Sequence, residues 1–588
     1  MNAPAPVRRV RPRAATIVGW SCLGLLVLLV VFTALLGREL LSLRGDVARL
    51  RADASTAKAV LSAPNLTAAA ADREVRRLQA DARSVRGRTR SAVWRLGGHV
   101  PLLGGPLRTV TAIAAAADDV THHAVPVLAG LAVDVRTGTR NGPLDVTPVS
   151  RQRVALESAQ ARVGADQADL ARQDLSEPAL RPAYTEVTQR LAQLHDALAS
   201  LTTVARVGPG MTGQLGDRTI LLVLQTPAES RATGGLVGGF VQLRVRHGAV
   251  SVLRSGTNHD LVGSRTKVPT DPGYAALWGP VNGQQLWYAS NLSLDFPSVS
   301  TVWAGLYAKQ YGVRPDVVIG MTPEAVGRLL RVTGPLRLPG GEQLTSDNAA
   351  HALEVSLYQR FPTSKDEPAR NAYQLAILHA LSGAVLAPPP GGRNYLDALS
   401  GGSIAGALLL ASTHAEEEQQ LLPYALAGAL PRDSRAFVAW STQCAAGTKL
   451  DVYVHRDFRY DVASAAGRQS VRATATLRND APTHGLPPYV TTRADLGPTE
   501  RAVTGSEKLL VATYLSPGAR VTSVTVGGRP AQFGSGTERG HPVVTVPVVI
   551  QPAGGTATVV VTADQPSLAG PVSTQRQPWS NEDRYTLP

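Results

Sequence analysis

Cysteine is almost missing from this chain of 588 residues: only Cys22 and Cys444 occur. No C-x-x-C pair, zinc ribbon or disulfide scaffold can be built from them. Aromatic residues make up 5% of the chain. Ala, Gly, Val and Arg stand in their place, a bias of GC-rich coding that says little about mechanism. Familiar catalytic motifs are absent too. There is no G-x-S-x-G elbow, no H-E-x-x-H helix and no Walker A loop. A hydrolase reading therefore has no nucleophile motif behind it. Acids are in short supply, with 45 Asp and Glu against 59 Lys and Arg, a net charge of +14 and a pI near 10.1. That balance fits nucleic acid, anionic lipid headgroups or acidic polymers.

Hydrophobic residues reach 44% and charged residues 18%, so much of the chain should fold. Its length calls for about two to four domains. Residues 1–13 carry Arg8, Arg9, Arg11 and Arg13 and no acid, and residues 14–37 carry no charge. The pattern predicts a basic cytoplasmic tail and an uncleaved transmembrane anchor at 14–37. The rival, a signal peptide, would have a shorter apolar core and a small-residue cleavage site. On this reading everything after Arg38 faces outward across the cytoplasmic membrane. Partners then include the lipid bilayer and exclude nucleic acid and cytosolic ATP.

The expected fold class is a multidomain α+β chain. Leu40, Leu43, Val47 and Leu50 repeat at coiled-coil spacing, and residues 38–205 read as a helical stalk or bundle. Residues 206–440 read as an α/β domain with a helical extension, residues 402–430 being helical. "FVQLRVRHGAVSVLRSG" predicts a hairpin with His247 and Gly248 at its tip. In "MTPEAVGRLLRVTG", Thr322 suits a helix N-cap, Pro323 its first turn and Gly334 its end. Short alternating strands over 441–563 predict a β-sandwich. Residues 564–588, polar and Pro-bearing, predict a disordered tail.

Several residues invite a chemical reading. Ser55 and Lys58 form an S-x-x-K on a helical run, where chance is the simpler account. Asp119 and His123 lie one helical turn apart beside His122. They suit a metal, or simply a solvated helix face. In "YQRFPTSKDEPARNAYQ", Asp366, Arg370 and Gln374 share one helical line, with Arg360 just before them. Arginine forks near a helix N-terminus suit a phosphate or pyrophosphate. A carboxylate there suits Mg²⁺ or a general base. The same spacing also fits an N-cap Asp, an Asp366–Arg370 surface pair and a solvated face. "LLVLQTPAESRATGGLVGGF", residues 221–240, sets Glu229 and Arg231 beside Gly234, Gly235, Gly238 and Gly239. It suits an anion site, or a turn with polar dressing. Arg254, Asp260 and Asp295 fall at further expected strand ends and turns, where α/β ligand sites form.

The segment from "GVRPDVVIGMTPEAVGRLL" through Gln374 resembles the LytR-CpsA-Psr family of cell-envelope phosphotransferases. Gly341, Leu344, Ala352, Leu353, Tyr358, Arg360, Asp366, Arg370 and Gln374 follow that family's order. Pro362 departs from its second arginine, and Glu367 fits the place of its acid better than Asp366. The resemblance implies a central LytR-CpsA-Psr-like α/β domain that transfers polyprenyl-pyrophosphate-linked glycopolymers. "LQTPAESRATGGLVGGF", "NLSLDFPSVSTVWAGLYAKQYG", "DVVIGMTPEAVGRLL" and "GLPPYV" resemble the bacterial family catalogued as domain of unknown function 4012. That family implies a membrane-anchored envelope protein of similar organisation, linked with exopolysaccharide.

Together these give an anchored envelope protein that binds, and transfers, a polyprenyl-diphosphate-linked glycan or cell-wall polymer. Arg231, Arg254, Arg360, Arg370 and Gln374 would hold the diphosphate. Asp260, Asp366 and Glu367 would act as bases, with Asp260 and Asp366 also holding Mg²⁺. The alternative is a non-catalytic scaffold, or a glycan- or protein-binding protein.

Overall fold

The computed structural model describes residues 41–63, 66–90, 94, 104–138, 145–173, 181–338, 340–386, 406–433, 435–465, 468–497, 499–568, 570–581 and 583–588. No helix among them is long and apolar enough to cross a membrane. That finding overturns the expected anchored architecture and the single-pass location drawn from it. The expectation rested on the length and missing charge of residues 14–37, which lie outside the described residues, as do the basic tail 1–13 and Cys22.

The described residues form two compact units. The first runs through Asp217, with Arg246–Ala249 added, and is helical: α1 (Leu41–Ser62), α2 (Ala68–Thr89), α3 (Gly104–Asp119), a π-helical turn (Val120–Ala124), α4 (Val125–Gly138), α5 (Arg153–Ala171) and α6 (Arg181–Met211). Thr67 opens α2 by accepting the Ala70 N–H. Along α2 the buried residues Ala71, Val75, Leu78, Ala82 and Val85 recur at three and four, the spacing that puts them on one face. They share a core with Ile113, Leu156, Leu191 and Leu198, so the segment is a bundle with a continuous interior.

The second unit takes the remaining described residues to Pro588. Its first layer is a mixed sheet of β1 (Arg218–Arg231), β2 (Gly234–Arg246), β3 (Ala249–Thr257), β4 (Val317–Met321) and β7 (Leu408–Ser412), ordered β3-β2-β1-β4-β7. A small hairpin, β5 (Leu336–Arg337) and β6 (Gln343–Leu344), lies outside it. Only β1 and β4 pair in parallel, and β7 runs antiparallel to β4. His247 and Gly248, at φ of 48° and 81°, make the turn between β2 and β3. Helix α7 (Phe296–Tyr311) buries Trp303 and Tyr307 completely against this sheet. Burial of each such ring contributes about 1.5–3 kcal/mol. Helices α8 (Pro323–Thr333), α9 (Glu367–Leu386) and α10 (Ala415–Leu421) complete the layer. Residues 408–412 are thus a strand where a helix was expected. Five mostly apolar residues in a row fit either state, and the free edge of β4 decides it.

Two further sheets form the sandwich. One holds β9 (Val454–Ala465), β10 (Arg468–Asn479), β12 (Arg520–Val526), β13 (Arg529–Pro530), β16 (Gly555–Pro566) and β17 (Asp583–Thr586), ordered β13-β12-β16-β10-β9-β17. The other holds β8 (Val438–Cys444), β11 (Glu507–Leu515), β14 (Gly534–Glu538) and β15 (His541–Ile550), ordered β14-β15-β11-β8. The sandwich belongs to the same compact unit as the mixed sheet. The C-terminal tail, expected to be disordered, is built in. Phe437 and Trp440 bridge to Ser573 and Arg576, and β17 pairs in parallel with β9. Its polar side chains find backbone partners: Gln577 Nε2 donates to the carbonyls of Arg231 and Thr442 at 2.8 and 3.0 Å. A polar composition hid a segment whose amides are consumed inside the fold.

Candidate functional site

Strand β1 does not end at its polar run. Its ladder with β2 breaks between Thr226 and Ser230 and resumes at Ser230↔Gly235 and Arg231↔Gly234. Pro227, which has no N–H to give, sits in that bulge. Gly234 has a φ of +142°, and a Cβ on Gly235 would lie 1.9 Å from the Thr226 carbonyl oxygen. These glycines answer backbone contact within the sheet. Asn291 Nδ2 fixes the turn by donating to Gly235 O at 2.8 Å and Gln225 Oε1 at 2.9 Å.

The bulge turns Glu229 and Arg231 inward, and both are buried. Arg231 donates to Tyr288 O at 3.0 Å, Ser230 O at 2.8 Å, Cys444 O at 2.9 Å and Glu229 Oε1 at 3.1 Å. The other Glu229 oxygen accepts from the Lys449 ammonium. Burial pushes the Glu229 carboxyl up, but the Lys449 and Arg231 charges outweigh it and hold it below the ordinary carboxylate range. A second buried pair lies beside it. Asp451 accepts from Arg456 and from the Ser230 N–H, the latter at 2.9 Å. Arg231 is therefore a brace between the mixed sheet and the sandwich, with four of its five N–H donors engaged.

Arg370 on α9 is also buried, at 2% exposure. Its guanidinium carbon lies 3.7 Å from the centre of the Tyr489 ring, and Lys449 Nζ lies 5.3 Å from that same centre. Its Nη1 makes only 3.5 Å contacts with the Phe361 and Thr363 carbonyls, and its Nη2 has no hydrogen-bond partner. Arg231 and Arg370 are thus linked, through Glu229, Lys449 and Tyr489, by protein groups.

The other candidates lie elsewhere. Arg254 is exposed and sits 4.3 Å over the Tyr311 ring. Arg360 pairs with Glu342 at 3.1 Å and lies 4.7 Å over Tyr373, at a cavity of about 360 Å³. Gln374 lines a smaller apolar pocket with Leu224, Gly238, Gly239 and Leu378. Asp260 and Asp366 play one identical role. Each closes a capping box, accepting the backbone N–H and hydroxyl of Thr257 or of Thr363. The hydroxyl and N–H of Thr363 hold the Asp366 carboxyl below its ordinary range. Both boxes were legible as T-x-x-D in "GTNHD" and "PTSKD". Glu367 pairs with His259 at 3.0 Å. Asp295 caps α7 and also accepts from Arg539 at 3.0 Å.

Asp260 and Asp366 each spend an oxygen on a cap, and no group of three or more His, Cys, Asp or Glu side chains among the described residues is placed to hold a metal ion.

One further cavity was not foreseen. It is an open cleft of about 1440 Å³ between the 422–437 segment and the C-terminal tail. Tyr424, Arg432, Asp433, Gln575, Arg576 and Trp579 are among its lining residues. Asp433 holds Arg435 through 2.7 Å contacts, and Trp579 Nε1 donates to Asp583 at 2.9 Å. Arg576 lies 4.4 Å over Tyr585. The Oγ1 of Thr574, on the same wall, is buried with no hydrogen-bond partner. Sequence offered one signal, "RQPWSNEDRY", in which aromatic and hydrogen-bonding residues alternate with charges.

Residues 215–358 match the family described as Protein of unknown function (DUF4012). The match takes in Glu229, Arg231, Asp260 and Asp295, and stops before Arg360, Asp366, Arg370 and Gln374. No curated protein and no solved structure matches the chain.

Proposed function

We propose that this protein is a non-catalytic glycan-binding protein whose ligand occupies the cleft between the 422–437 segment and the C-terminal tail. The observation that carries this reading is the lining of that cleft. Tyr424 and Trp579 line an open space of about 1440 Å³ together with arginine, aspartate and glutamine side chains, and the Trp579 ring is held in place by Arg456 and Phe458. Sugars present apolar C–H faces beside hydroxyls, so they need aromatic surface and hydrogen-bonding groups together. Engaged arginines argue in the same direction. A diphosphate-gripping Arg231 would have to give up four internal bonds, leaving Glu229 buried with only Lys449.

The transferase reading keeps one supporting observation, the unpartnered Nη2 of Arg370. On that reading a polyprenyl diphosphate would sit at Arg370 and lose affinity in Arg370→Ala.

Titration of the full chain with a panel of oligosaccharides tests the proposal. Binding by at least one of them should weaken about tenfold in Tyr424→Ala and Arg432→Ala, a change of about 1.4 kcal/mol. Unchanged affinity in both variants would sink the assignment of the cleft.

A further inference from the structure

The helical unit contains acceptors that face each other with no donor between them. Asp119, at the end of α3, meets Asp166 of α5, and Asp166 is 7% exposed. Its Oδ2 is buried and has no hydrogen-bond donor. A second pair repeats the arrangement between α1 and α2: Asp53 meets Asp81, whose Oδ2 is likewise buried and undonated. Two carboxylates in contact are satisfied only when one of them carries a proton.

Cations stand near both pairs, but none donates a hydrogen bond to the buried Oδ2 of Asp166 or of Asp81. Around Asp166 stand Asp119 and Asp118 from α3, Asp169 from α5 and Arg86 from α2. Arg86 approaches Asp118 at 3.4 Å, and its Nη1 has no partner. His122, in the π-helical turn, lies 3.2 Å from Asp118 Oδ1, and His123 follows it. From α6, His195 packs against Gly164, two residues before Asp166. Around Asp81 the charged groups are Asp53, Arg49 and Arg77. Asp119 and Asp166 thus face only Arg86, which also reaches Asp118, while Asp169 is paired with Arg172. The π-helical turn beside them interrupts the regular α-helical ladder.

We propose that the helical unit is a proton-dependent element, tight while the Asp119–Asp166 and Asp53–Asp81 pairs each share a proton and loosened when those protons leave. The direction follows from linkage. Burial, then the facing aspartate, raises Asp166 to about 7 and Asp81 to about 6. The folded unit therefore binds more protons than the unfolded chain between the ordinary aspartate range and those values. Stability conferred by the shared protons is complete below that range and is lost as pH rises through it.

Hydrogen exchange of the full chain at about pH 5.5 and about pH 8, corrected for intrinsic rates, tests this. Peptides of α3 and α5 should lose at least about threefold in protection at the higher pH. Asp166→Asn supplies a permanent donor to Asp119 and should restore protection at pH 8. Asp119→Asn offers the same donor from the other side, should Asp166→Asn fold poorly. Wild-type protection that does not change with pH, or variants that keep the wild-type response, would overturn the proposal.

Discussion

Arg231 shows how one side chain carries opposite meanings in sequence and in space. Beside paired glycines it looks like a phosphate contact. In the fold its guanidinium answers three carbonyls and Glu229. Removing it leaves Glu229 buried beside Lys449 alone, a loss of about 3–5 kcal/mol. Arg231→Ala should therefore lower the stability measured by denaturant unfolding by that amount, and a loss below about 1 kcal/mol would show that the brace is not needed. The sign with pH is also fixed. Glu229 is held below the ordinary carboxylate range, so its contribution is present above that range and fades as pH falls through its folded value. Asp366→Ala belongs at this scale too. It deletes a capping-box acceptor and should cost about 1 kcal/mol, with no change in oligosaccharide affinity.

At the scale of elements, β1 and the C-terminal tail explain why the mixed sheet and the sandwich make one unit. The strand pairs with β4 from Ile220 to Leu224, and beyond its bulge Arg231 reaches β8 at Cys444 O. Gly235→Ala would drive a methyl group into the Thr226 carbonyl. That variant should unfold at lower denaturant, by about 2 kcal/mol or more. Ending the chain at Gly570 removes the Gln575 and Gln577 contacts, the Trp579 stack on Arg456 and strand β17. The melting temperature should fall by about 5 °C or more, and an unchanged value would show the tail to be an accessory. Local signals such as Thr322-Pro323, His247-Gly248 and the sandwich alternation were legible because each is set by its own neighbours. The roles of Gln225, Asn291 and Gln577 were not. A buried amide is chosen by backbone groups far away in sequence, as Gln577 is by Arg231 and Thr442.

At the scale of the whole molecule, the chain contains a helical unit with facing carboxyl pairs and a β-rich unit with an open cleft. The candidate arginines divide among a buried brace, two exposed ring contacts and one poorly partnered buried group, so they do not form a single diphosphate site. The cleft was illegible in sequence because its walls come from segments more than 130 residues apart, joined by the bridge between Phe437 and Ser573. Hydrogen-exchange footprinting of the full chain, with and without a bound oligosaccharide, tests this account most directly. It predicts new protection over residues 422–433 and 573–583. Protection confined to residues 257–260 and 361–370 would contradict it and return the function to the segments around Asp260, Asp366 and Arg370.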